Sequence, residues 1–241
     1  MISLILFDLD DCLWDATELS SYARTEALNA MIENGLDIDF HEGLKMLREV
    51  VLEYGSNHSG HFNIFLKRLQ SLGFNLKNLH EDMLVASAVI AYHRVKTRMV
   101  KPFPDVIPFF AQVEKKFPEM KMGIVTDGIP VKQFEKILRL GLDKYFTEII
   151  ISDEIGIRKP NPLLFQFALT KLNAVPEGTI FVGDRLDNDI APAKQVNMHT
   201  VLIHRKTKYD KPGKTPSAVT PDFEISKLTE LFPIIESLNS T

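Results

Sequence analysis

The chain has 241 residues, 45% of them hydrophobic and 25% charged, with a formal net charge of −4. This is the composition of a globular protein with room for one full α/β domain and a smaller partner. The acidic balance removes any general attraction to nucleic acid or anionic lipid, and the single cysteine, Cys12, excludes an internal disulfide or a CxxC zinc site.

The first element is the apolar run "ISLILF" (2–7), which leads directly into Asp8, Asp10 and Asp11. Residues 17–99 then show helical spacing and no convincing strand. In "FHEGLKMLREVVLEYG" (40–55), Phe40, Leu44, Leu47, Val51 and Tyr54 share one predicted face. Segments 61–73 and 80–95 repeat that pattern, and the proline-rich "KPFPDVIP" (101–108) marks the return to a core. From residue 120 strand and helix alternate. "MKMGIVT" (120–126) precedes a helix over 130–142 with Val131, Phe134, Leu138 and Leu142 as its apolar stripe, Pro130 in its first turn and Gly141 as its cap. "TEIIIS" (147–152) precedes a helix capped by Asn161, "TIFVG" (179–183) a short helix over 188–196, and "HTVLIH" (199–204) and "PDFEI" (221–225) complete the strands.

Continuous apolar runs of this length suit strands buried on both faces of a parallel sheet. The expected fold is therefore a doubly wound α/β core from 1–15 and 100–241, with a helical subdomain, 16–99, inserted after the first strand. The longest apolar stretch, 83–92, is too short to span a bilayer, and the N-terminus lacks the basic region of a secretory signal. A soluble cytoplasmic protein, bound to neither membrane nor nucleic acid, is expected.

Ligands of parallel α/β sheets bind at the carboxyl ends of the strands. Asp8 and Asp10, two apart on extended chain, face the same side there. "GDRLDND" (183–189) brings Asp184, Asp187 and Asp189 to the end of another strand. Like charges gathered this closely need a counter-charge, and a hard cation with oxygen ligands, Mg²⁺, supplies it and accepts phosphate oxygens as well. "TDG" (126–128) adds a hydroxyl and backbone N–H groups ahead of a helix, and "RKP" (158–160) adds the cation of Lys159.

In this order the four segments resemble the motifs of the haloacid dehalogenase (HAD) superfamily of phosphohydrolases. They are most similar to the subfamily with a helical cap between its first two motifs, which includes phosphoglycolate phosphatase-like and archaeal sugar-phosphate phosphatase-like proteins. The resemblance implies a Rossmann-like core and an Mg²⁺-dependent phosphatase for a small phosphorylated metabolite. Asp8 would be the nucleophile that forms an aspartyl phosphate, Asp10 the general acid and base, and Thr126 and Lys159 the binders of phosphoryl oxygens. The metal would be held by Asp8, Asp184 and the backbone carbonyl of Asp10, with Asp189 orienting its water shell. Cys12 stands where the family has Thr, and Asp187 either substitutes for Asp189 or faces water. Asp11 reads as a solvated turn residue, Cys12 as a small buried one, and Trp14 as lining the substrate mouth or packing on the cap.

Three alternatives accompany this reading. A phosphomutase shares the same core residues. A dehalogenase uses the same nucleophile but has no need of Asp10. A non-catalytic metabolite-binding protein would usually have lost a polar motif residue, and all are present here.

Overall fold

The computed structural model describes residues 1–77, 79–207 and 219–240. Its strands form one parallel sheet in the order β3-β2-β1-β4-β5-β6: β1 Leu4–Phe7, β2 Lys121–Thr126, β3 Glu148–Ile151, β4 Thr179–Gly183, β5 His199–Ile203 and β6 Phe223–Ile225. Each expected apolar run is one of these strands. β1 is central and wholly buried, because parallel strands are covered by helices on both faces. Its register sets the site: Phe7 pairs with Ile124 of β2 and with Val182 of β4. The residues just beyond these pairs, Asp8, Thr126 and Asp184, therefore emerge along one edge of the sheet.

The helices of the sheet-containing part are α5 (Val106–Lys116), α6 (Pro130–Leu140), the single turn α7 (Ser152–Ile155), α8 (Pro162–Leu172), α9 (Ala191–Gln195) and α10 (Leu231–Asn239). Pro130 opens α6 and Gly141 ends it in the left-handed conformation, φ 66°. The Asn161 side chain caps α8 by accepting from the Leu163 N–H. The expected short helix is split: Leu186–Ile190 is a π-helical turn that runs into α9, a departure common at functional sites.

The stripe expected on α6 is on the wrong side. Val131 and Leu138 are 73% and 63% exposed, while Gln133, Ile137 and Leu140 are buried. A glutamine holds a core position here because its amide has partners inside, described below.

Contacts divide the chain into two compact units, 1–17 with 101–241, and 18–100. The second unit is helical. It contains most of α1 (Ala16–Glu33), then α2 (Phe40–Tyr54), α3 (His61–Ser71) and α4 (Glu81–Met99). They pack around a core that includes Leu28, Met31, Leu47, Phe65, Leu69 and Leu84. On α2 the buried face is Gly43, Leu44, Leu47 and Val50 rather than one running through Val51 and Tyr54. Gly43 lets that face tighten: a Cβ there would stand 3.2 Å from the Leu28 side chain. Among the described residues no helix is long and apolar enough to cross a membrane.

Candidate active site

Four of the six expected side chains meet at the carboxyl edge of the sheet. Asp8, Asp184 and Asp189 are buried, and an oxygen of each lies within 4.8 Å of the others. Lys159 is buried among them; its Nζ donates to Asp8 Oδ1 and, at 2.7 Å, to Asp189 Oδ1. Three carboxylates against one ammonium would leave two negative charges in a buried cluster if all were ionised. Their electrostatics follow. Asp8 is pushed up to about 7, chiefly by burial, with Lys159 opposing and Asp189 adding. Asp184 is pushed up to about 9 by burial and then by the charges of Asp189, Asp8 and Asp11. Burial works against the charge of Lys159, but Asp189 and Asp8 outweigh it, and its pKa is raised.

One atom marks what the cluster lacks. Asp184 Oδ2 is buried and finds no hydrogen-bond partner among the described residues. An orphaned carboxylate oxygen is costly, and beside two further acids its natural complement is a hard divalent cation. The donor set is all oxygen, as Mg²⁺ requires, so these residues fit the ion.

The π-helical turn separates the acids of "GDRLDND". Asp189 is buried and also accepts from the Arg185 N–H at 3.1 Å. Asp187 faces outward, where the Arg185 guanidinium grips both its oxygens at 3.1 and 2.8 Å. Asp189, not Asp187, is the acid of the cluster.

Asp10 stands beside the cluster, and its carboxylate is engaged elsewhere. Oδ1 accepts from the Trp14 indole N–H at 2.9 Å, and Oδ2 pairs with Lys136 Nζ at 2.5 Å. Trp14 is itself buried, so within this unit it serves Asp10 rather than a substrate mouth. Asp11 departs from its expected place as well. It is buried in the left-handed conformation, φ 63°, and its oxygens accept from the Thr17 backbone N–H at 2.8 Å and the Thr17 hydroxyl at 2.5 Å. It caps the start of α1 and closes the loop that carries Asp8 and Asp10. Cys12 is buried, with its sulfur 3.7 Å from the Val182 carbonyl.

Thr126 ends β2, and its Oγ1 accepts from Gln133 Nε2 at 2.9 Å, leaving the hydroxyl proton free to donate. Gln133 also donates to the Asp127 carbonyl at 2.5 Å. Asp127 Oδ1 accepts from the Lys159 backbone N–H at 3.1 Å, tying the second motif to the third. Gly128, at φ 137°, makes the turn into α6; a Cβ there would sit 3.0 Å from Gln133 Nε2. Gln133 and Lys136 were invisible to motif reading, since a polar or charged residue on an amphipathic helix reads as solvated surface.

These motifs, this topology and this acid cluster define a hydrolase class. A family model for haloacid dehalogenase-like hydrolases matches residues 5–203, and the chain belongs to that family. It is 44% identical over 240 residues to the glyceraldehyde 3-phosphate phosphatase of Methanopyrus kandleri, covering 99% of both chains. It is 37% identical over 238 residues to the protein of that name from Methanocaldococcus jannaschii, again covering 99% of both. The crystal structure of a HAD phosphatase from Thermococcus onnurineus superposes with a TM-score of 0.62 at 24% identity, covering 98% of each chain.

Proposed function

We propose that this chain is an Mg²⁺-dependent phosphatase whose substrate is a three-carbon sugar phosphate, glyceraldehyde 3-phosphate. The observation that carries the reading is the buried group of Asp8, Asp184, Asp189 and Lys159, with one carboxylate oxygen unpaired among the described residues. The names of relatives matching over the full chain supply the substrate.

An Asp8 carboxylate oxygen attacks phosphorus and forms an aspartyl phosphate as the bond to the sugar oxygen breaks. Asp10, entering this step in its protonated form, gives that proton to the departing oxygen and is left as a carboxylate. Asp10 then takes a proton from the water that attacks the phosphoaspartate, releasing inorganic phosphate and regenerating Asp8. Thr126 donates its free hydroxyl proton to a phosphoryl oxygen, and Lys159 turns its ammonium toward another. Asp8, Asp184 and the Asp10 main-chain carbonyl would hold Mg²⁺, with Asp189 beside them; when bound, the ion neutralises charge on the phosphoryl oxygens. The helical insertion, as the cap, would select the sugar.

The test is phosphate release from glyceraldehyde 3-phosphate and from 4-nitrophenyl phosphate, with Mg²⁺ and with chelator, by wild type and Asp8→Asn. Metal-dependent release by wild type alone is expected. Appreciable turnover by Asp8→Asn would overturn the mechanism, and preference for phosphoglycolate or a nucleoside monophosphate in the same assay would overturn the substrate.

A further inference from the structure

Helix α6 reaches the site twice. Gln133 holds Thr126, and one turn later Lys136 holds Asp10. The second contact joins residues 126 positions apart, so no local sequence preference enforces it; the packing of α6 does. Ile137 and Leu140 are buried against the core and the Gln133 amide is anchored inside, which fixes the point from which the lysine stem extends.

We propose that Lys136 is a positioning residue for the Asp10 carboxylate, acting together with the Trp14 indole. The inference rests on the reading of Asp10 as general acid and base. Asp8 and Asp189 are immobilised by burial and by Lys159. The Asp10 side chain is 33% exposed, and a lone aspartate so placed turns between rotamers. Here both oxygens are held, one by a neutral N–H at 2.9 Å and one by an ammonium at 2.5 Å. The two partners also support each other, since Lys136 Nζ lies 5.8 Å from the Trp14 ring centroid, within range of a cation–π contact. Proton transfer requires the carboxyl within hydrogen-bond reach of the departing oxygen, and a displacement of about 1 Å lowers a rate steeply. The pair stays open to solvent on one side, the Lys136 side chain 19% and the Asp10 side chain 33% exposed, and without the lysine Asp10 keeps the Trp14 N–H and water, so the lysine matters to the reaction more than to the fold.

The test compares kcat/KM on phenyl phosphate and 4-nitrophenyl phosphate for wild type, Lys136→Met, Lys136→Arg and Asp10→Ala. The substrates are close in size. Phenolate departs poorly without a proton, whereas nitrophenolate needs little help. Lys136→Met should lose about tenfold on phenyl phosphate and about twofold or less on the nitro ester, part of the roughly 10²–10⁴-fold that a general acid supplies. Lys136→Arg should recover part of the loss, and adding Lys136→Met to Asp10→Ala should cost nothing further. Melting temperatures should fall by no more than about 4 °C, since the stranded Asp10 carboxylate keeps the Trp14 N–H and access to water. Equal losses on both esters would mark Lys136 as structural, a higher KM at unchanged kcat would mark it as a substrate ligand, and an unaffected Lys136→Met would show it idle. Each of these overturns the proposal. Inactivity of wild type on every ester would instead overturn the phosphatase reading beneath it.

Discussion

Gly183 lies directly against Asp189: a Cβ built on Gly183 would stand 2.4 Å from the Asp189 Cβ and 2.6 Å from its Cγ. The obstructing atoms are the root of a buried side chain, which is held in turn by Lys159 and by the Arg185 N–H. The residue before Asp184 must therefore be glycine for the last acid to fold back into the cluster. Gly183→Ala should cost at least the roughly 1–3 kcal/mol of an overpacked core. It should also lower phosphate release about a hundredfold by displacing Asp189 and Lys159. Thermal melting and the hydrolysis assay check both, and an alanine variant with wild-type melting would show that the π-helical turn gives way freely.

Asp184 places a carboxylate oxygen in the core with no hydrogen-bond partner among the described residues. Asp184→Asn removes a buried carboxyl that must either hold a proton against its usual range or meet a cation. The variant should melt higher than wild type in chelator and gain no stability from Mg²⁺, while losing turnover. Wild type should show the reverse order once Mg²⁺ is added, because a ligand that binds only the folded state stabilises it. Differential scanning calorimetry of both proteins in both conditions decides; equal Mg²⁺ stabilisation of the two would remove Asp184 from the metal site.

The same carboxylates set a pH dependence for the metal-free protein. In the unfolded chain aspartates titrate near ~4, whereas Asp8 is raised to about 7 and Asp184 to about 9 in the fold. Between those limits the folded protein keeps protons that the unfolded chain has released, so stability falls as pH rises. Lys159, with its raised pKa, stays charged throughout and adds no slope. The chelated protein should melt lower at pH 8 than at pH 6, and Asp184→Asn should flatten the trend. Mg²⁺, which displaces those protons, should stabilise more at pH 8 than at pH 6.

Much of this arrangement is legible in the sequence because parallel sheets advertise themselves. Strands buried on both faces are solid apolar runs, and each of the six stood out between turn signals. The acids beyond them were equally plain, since carboxylates at strand ends have few other reasons to crowd. Helices α5 and α10 were not foreseen. Each carries a proline in its first turn, Pro108 and Pro233, which reads as punctuation although an N–H there has no intrahelical partner to lose. The inner face of α6 was misread because Gln133 is polar, and its place in the core depends on Thr126 and Asp127, contacts that only the tertiary fold creates. Lys136 escaped for the same reason.

Gln133 itself gives a sharp expectation. Its amide donates to Thr126 Oγ1, which leaves that hydroxyl's proton to donate elsewhere, while Gln133 Oε1 has no partner among the described residues. Gln133→Met keeps the volume and removes both features. Stability should fall by about 1–2 kcal/mol, since two hydrogen bonds, to Thr126 and to the Asp127 carbonyl, are lost and one orphan acceptor is removed. kcat should fall about tenfold as the Thr126 hydroxyl turns free. A kcat equal to wild type would show that the Thr126 proton needs no guide.

Arg205, just beyond β5, holds the loop that carries Asp8 and Asp10 from behind. Its Nε donates to the Cys12 carbonyl at 2.9 Å, and one terminal nitrogen reaches both Asp105 oxygens at 2.9 and 3.0 Å. The guanidinium lies 4.5 Å from the Phe103 ring centroid. Asp105 also accepts from the Leu228 N–H at 2.7 Å, so this ion pair joins the loop after β1, the segment leading into α5 and the C-terminal region. Arg205→Met strands a largely buried aspartate and should cost about 3–5 kcal/mol, a fall of roughly 10 °C or more in melting temperature. Most of that cost is the charge left behind rather than the worth of the bond. Pairing Arg205→Met with Asp105→Asn should therefore recover a large part of the stability, whereas the Cys12 carbonyl stays unheld and activity should recover less. If the double variant is as unstable as the single one, the cost lies in the lost Cys12 and Phe103 contacts instead.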